Sequence, residues 1–349
     1  MQFCRATTIL PPREANGGMD QVQKGVTVRL LIARLEREGV MGQYSEIAFK
    51  SYLLKGQLRA AVDYLGQFPD KSALLQQYID VFEKGQYQAR TSNNVIARLD
   101  QIYQDYYRNV FWRKMRNGDA KETLFRELWR LCGGRPTLPK DSSIEDEIEM
   151  LVKAEGYHYL GGDTQSFYGP YIWKSSTEEA YEVELPSGIE PYSIVMMDGF
   201  ISRSWLDFIS FGITGTGGWA GKDGTLCCVR NLWDIESSKF QIVFLKHEAQ
   251  HAYDHRTYQE VSSLDLEYRA KLVELIYWRG DERIRGISNE ADDSNPANTH
   301  SMAAYRIIRE MSQRVFGCNY IDDASAWEDK MDTVRKHARQ MLDVSSCNL

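Results

Sequence analysis

The sequence predicts an α+β protein: a helical region over residues 1–135, then a domain over 136–349 in which helices bracket a small, mostly antiparallel sheet. Three observations carry this. Apolar residues recur at three-and-four spacing through the first 155 positions. CGGRPTLPKDSS (132–143) interrupts the pattern with Gly, Pro and Ser. Short β-branched and aromatic runs then occupy 168–198, and helical periodicity returns from residue 238.

Taken in order, VTVRLLIARLEREG (26–39), YSEIAFKSYLLKG (44–56), LRAAVDYLGQ (58–67) and KSALLQQYIDVFEKG (71–85) each end at or near a glycine, a helix stop signal. NNVIARLDQIYQDYYRNVFWRKM and KETLFRELWRL continue the helical pattern with large aromatics, and together these segments read as a bundle or a set of helical hairpins. KGQLRAA and KGQYQAR stand 29 residues apart, but two copies do not make a solenoid. After one more helix (IEDEIEMLVKAEG), YGPYIWK, EAYEVEL and PYSIVMMD read as strands, with Pro186-Ser187-Gly188 as the turn between the last two. SWLDFISF makes a short helix, and TGTGGWAGKDGTLCCVR a Gly-rich approach to another strand.

Composition narrows the function classes. With 43% hydrophobic and 26% charged residues, the chain can bury a core and is not disordered throughout. A net charge of -7 argues against a nucleic-acid partner or a polybasic membrane patch. No apolar run reaches bilayer-spanning length and the first residues do not read as an export signal, so a cytoplasmic location is expected. Six scattered cysteines fit a reducing compartment; Cys227 and Cys228 are adjacent on a strand, face opposite sides and do not suit one metal ion.

Chemistry concentrates in KHEAQHAYDH, where His247-Glu248-Ala249-Gln250-His251 forms an HExxH motif. Six histidines would generate it by chance on the order of 0.01 times in such a chain. On a helix, positions i and i+4 share a face and offer two imidazoles to one ion. Ser237 or Ser238 can cap that helix, and Ile242, Leu245, Ala249 and Ala252 make its core stripe. Glu248 stands beside the two histidines, where a carboxylate can take a proton from an attacking water. A third ligand is required. Asp254 is too far along the axis, since seven residues rise about 10.5 Å, and reads as a residue that supports a ligand from behind or sits on the helix surface. Glu267, in the opening turns of SSLDLEYRAKLVELIYW, can approach from another direction, helped by the small Ala270. Glu274 is the runner-up ligand or an acceptor that orients a ligand histidine.

HEAQH followed by a glutamate on the next helix resembles the gluzincin metallopeptidases, the group typified by thermolysin, over roughly residues 156–310. The resemblance implies a zincin-like domain with an HExxH active-site helix, one zinc ion on His247, His251 and Glu267, and Glu248 as general base. It also implies a peptide or protein substrate aligned on an upstream edge strand, for which Gly217, Gly218, Trp219 and Ala220 are the candidates. A His or Tyr after the glutamate helix would steady the oxyanion; His300, near the start of a helix opening after Pro296, and Tyr305 are available. The chain departs from the thermolysin pattern around Glu267: it lacks the preceding Asn, and Lys271 replaces the Asp four positions on. The expected function is therefore zinc-dependent hydrolysis, most simply of peptides. The alternatives are a helical binding protein with an idle zincin module, or a hydrolase of non-peptide amides or esters. The oligomeric state is open.

Overall fold

The computed structural model describes residues 43–87, 89–134, 142–164, 166–221, 223–296, 298–321 and 323–349. The helix expected over 26–39 and the centre of the Gly/Pro-rich segment lie outside them. The fold is α+β, with two compact units, Met1–Tyr87 and Gln88–Leu349.

In the first unit α1 (Glu46–Leu54), α2 (Leu58–Leu65) and α3 (Ser72–Tyr78) follow closely, and a π-helical turn, Ile79–Glu83, extends α3. The Ser45 hydroxyl accepts from the Ala48 N–H and caps α1. Phe49, Leu53, Leu58, Leu65, Tyr78 and Phe82 are fully buried, the positions that three-and-four spacing marks as one face.

Helices α4 (Asn94–Tyr107), α5 (Asn117–Leu131) and α6 (Ser142–Ala154) belong to the second unit. The aromatics of α4 and the turn after it meet the strand region: Tyr103 bonds Tyr159 through their hydroxyls (3.1 Å), and Phe111 packs on Phe167 and Trp205. Strands β1 (His158–Leu160), β4 (Tyr171–Trp173) and β7 (Ser202–Arg203) form a three-stranded sheet; β2 (Asp163–Thr164) and β3 (Phe167–Tyr168) form a ribbon. The larger sheet has the order β5 (Ser175–Leu185), β6 (Gly188–Asp198), β9 (Leu226–Val229), β8 (Gly218–Ala220). β5 and β6 pair in antiparallel register from Ser175↔Asp198 to Leu185↔Gly188. Pro186-Ser187 closes that hairpin, and Gly188 adopts φ 140°, which a side chain would resist. β6 and β9 run parallel: after β6 the chain passes through the short helix α7 (Ser204–Ile209) and then β8, which runs antiparallel to β9 and returns the chain before β9 begins.

One face of this sheet buries Ile194, Met196, Leu226 and Cys228 against the C-terminal helices; the other turns Val195, Met197, Cys227 and Val229 toward Tyr171, Trp173 and Trp219. Helices α8 (His247–Thr257), α9 (Ser263–Tyr277), α10 (Glu282–Glu290), α11 (Thr299–Phe316) and α12 (Met331–Cys347) complete the layer, with α9 packed on α8, α11 and α12. No helix among the described residues is long and apolar enough to cross a membrane.

α4 also buries a carboxyl group. Asp100 accepts from the Gln104 amide (2.6 Å) and is only 5% exposed. Burial pushes its carboxyl up to about 6, against the pull of Arg90 and Gln104. The folded state therefore holds this proton more tightly than the unfolded chain, whose value is about 3.9. The group's contribution is fully present below about pH 4 and lost as pH rises through 6, about 3 kcal/mol in all. Urea midpoints at pH 4 and pH 7 should show this loss in the parent and not in Asp100→Asn.

Candidate metal centre

The segment before the motif is not the α-helix that the sequence suggests. Lys239–Lys246 winds as a π-helix, and α-helical winding begins at His247. Ser237 caps it, its hydroxyl accepting from the Phe240 N–H (3.1 Å). In the wider turn Phe240 and Phe244 take core positions while Ile242 is only half buried. Leu245, Ala249 and Ala252 are buried as the stripe predicts, and they set His247 and His251 beside the core, each 8% exposed.

Ser262 caps α9 by accepting from the Asp265 N–H, and α9 crosses α8 so that Glu267 meets the two histidines. His247 Nε2 and His251 Nε2 are 3.0 Å apart, with their rings perpendicular. Glu267 brings Oε2 to 3.6 Å from His247 Nε2 and Oε1 to 3.5 Å from His251 Nε2. This is the one His/Cys/Asp/Glu group among the described residues with the convergence a metal ion needs. Zinc bonds of about 2.0–2.1 Å at tetrahedral angles hold donor atoms about 3.3–3.4 Å apart. The observed spans bracket that value.

The surroundings fit the same group. The other nitrogen of His247, Nδ1, lies 2.6 Å from Glu274 Oε1, so it carries the proton and Nε2 presents its lone pair to the cluster. Two imidazole nitrogens 3.0 Å apart beside a carboxylate need a shared cation, a proton or a metal ion. Glu267 Oε2 is buried without a hydrogen-bond partner among the described residues. Burial alone would raise the Glu267 carboxyl, but the imidazoles of His251, His300 and His247 hold it far below the usual carboxylate range. Burial pulls His251 down, yet Glu267, Glu248 and Asp254 outweigh it and raise its affinity for positive charge. The charge around the cluster favours a cation.

The remaining predicted residues divide. Glu248 is half buried on α8. Burial first, then Asp223 and Glu248, push the Cys227 thiol up to about 11. Gly218, Trp219 and Ala220 form β8, the edge strand, and α8 packs against it. Gly217 precedes the strand, and its carbonyl accepts from both Val229 N–H and the Trp233 indole. A side chain at Gly218 would meet the Cys227 carbonyl and Phe244 at 2.3 Å, so close packing dictates that glycine. His300 Nδ1 approaches Glu267 Oε2 to 2.8 Å without hydrogen-bond alignment. Tyr305, further along α11, lays its ring on Tyr320 (5.3 Å) and makes no hydrogen bond or ion pair with the cluster.

Asp254 stands outside the convergent group and is not a surface residue. It is wholly buried in a bidentate pair with Arg269 (2.8 and 2.9 Å) and accepts a third bond from Gln250. Lys271, at the position where thermolysin-like chains carry Asp, turns to Glu290 instead (2.8 Å). Glu274, one turn later on the same face, partners His247. Arg269 and Arg283 had no signal in the sequence, since only the packing of α8, α9 and α10 brings them to their carboxylates.

Comparison with known proteins finds no family model, no curated protein and no solved structure that matches this chain.

Proposed function

We propose that the protein is a zinc-dependent hydrolase whose most fitting substrate is a peptide, with His247, His251 and Glu267 as the metal ligands. The observation that carries this is the convergence of two imidazoles and one carboxylate, with a general-base candidate on the turn between the imidazoles. A zinc ion there would supply Lewis acidity to a substrate carbonyl. Glu248 would take a proton from the attacking water and pass it to the leaving amine.

The edge strand supports the choice of a peptide. Val229 N–H bonds Gly217 O and Gly221 N–H bonds Thr225 O, so in this register the odd residues of the strand face β9. The N–H and C=O groups of Gly218 and Ala220 therefore point to the open edge, where an extended chain can add as a further strand. His300 is the better placed oxyanion donor, since it already stands at Glu267.

Glu248→Gln tests the reading. It keeps the shape and removes the base, so zinc should remain bound at one equivalent while turnover of an unfolded protein substrate falls by about 10²-fold or more. Loss of zinc along with activity would make Glu248 a ligand instead.

A further inference from the structure

We infer that Arg283 is a positioning residue for the metal centre, acting through Glu274; this rests on the metal-binding reading above. Arg283 lies in the first turn of α10 and touches none of the three ligands. Its Nε donates to Glu274 Oε2, while Glu274 Oε1 is held 2.6 Å from His247 Nδ1. The two oxygens of one carboxylate are thus divided between an arginine and a ligand histidine.

The division matters because Glu274 is 0% exposed. A carboxylate buried this completely requires a cation beside it, and its side chain needs a second anchor to fix its rotation. Arg283 supplies both, since its guanidinium is always charged and its Nε–H is a directed donor. With Oε2 occupied, Oε1 has one orientation left, toward Nδ1. That fixes the His247 ring with its Nδ1–H outward and its Nε2 lone pair toward His251 and Glu267. Lys271 adds positive charge nearby, but its ammonium bonds Glu290, so it does not anchor the Glu274 carboxylate as a directed donor. The first turn of α10 thereby becomes part of the metal site without supplying a ligand.

The test measures zinc affinity by competition with a chromophoric chelator, on full-length protein stripped of metal. The parent should bind one zinc; if it does not, the metal-binding reading itself fails, independently of Arg283. Given a binding parent, Arg283→Met should weaken zinc by about 10- to 100-fold, the usual scale for a group that orients a ligand histidine. Arg283→Lys, which restores a charged donor, should recover most of that loss. Nitrogen-15 spectra of the metal-free protein should show His247 as the Nδ1–H tautomer in the parent and as a mixture in Arg283→Met. Parent-like zinc affinity in a folded Arg283→Met overturns the inference, as does an Arg283→Lys no better than Met. Should Arg283→Met not fold, the double variant Glu274→Gln/Arg283→Met decides, since it leaves no charge buried alone. It should bind zinc as Glu274→Gln does by itself; a further loss would show that Arg283 acts by another route.

Discussion

Glu267→Ala is expected to lose zinc to a mild chelator that the parent resists. Of the three proposed ligands Glu267 alone comes from outside α8, and two imidazoles four residues apart on one helix cannot close a tetrahedron by themselves. Removing a ligand should therefore cost more than the roughly 10- to 100-fold that a ligand-orienting partner costs. Glu274→Ala gives the comparison within one helix: its carboxylate touches Nδ1 of His247, the nitrogen facing away from the cluster. Competition titrations should rank the proteins parent, Glu274→Ala, Glu267→Ala in falling affinity. A parent-like Glu267→Ala beside a failing Glu274→Ala would exchange the two roles.

Asp254→Ala should be the most destabilising single change near the site, by about 3–5 kcal/mol, the scale for breaking a buried ion pair by removing one partner. Arg269 is 1% exposed and its guanidinium depends on Asp254 for two of its bonds; the others reach the hydroxyls of Ser345 and Ser346 on α12. Without the carboxylate a buried cation remains, with only neutral acceptors. The pair also joins α8 to α9, close after His251 on one helix and Glu267 on the other. Equilibrium urea unfolding of the metal-free protein measures the effect. Asp254→Ala/Arg269→Met, which removes both charges, should recover much of the loss. A single variant as stable as the parent would mean that the pair contributes nothing to the joining of these helices.

The α+β class and the core stripe of α8 were legible in the sequence because they rest on periodicity, which local residues determine. So was the pairing of His247 with His251, since helical geometry alone puts i and i+4 on one face. The β5–β6 hairpin followed from a turn tripeptide between two strand-like runs. The candidacy of Glu267 came from a geometric exclusion, because Asp254 on the same helix rises too far along the axis to share an ion. What the sequence left open about Glu274 and Asp254 was tertiary. Both are carboxylates at helical positions next to apolar neighbours, and nothing local distinguishes an acceptor for an imidazole from one half of a buried ion pair. The angle at which α9 crosses α8 decides it, turning Glu274 toward His247 and Arg269 toward Asp254. The parallel pairing of β6 with β9, the π-helical approach to His247 and the arrival of Arg283 from α10 likewise depend on contacts between segments distant in sequence. Packing against those segments fixes them, and no single segment's pattern encodes it.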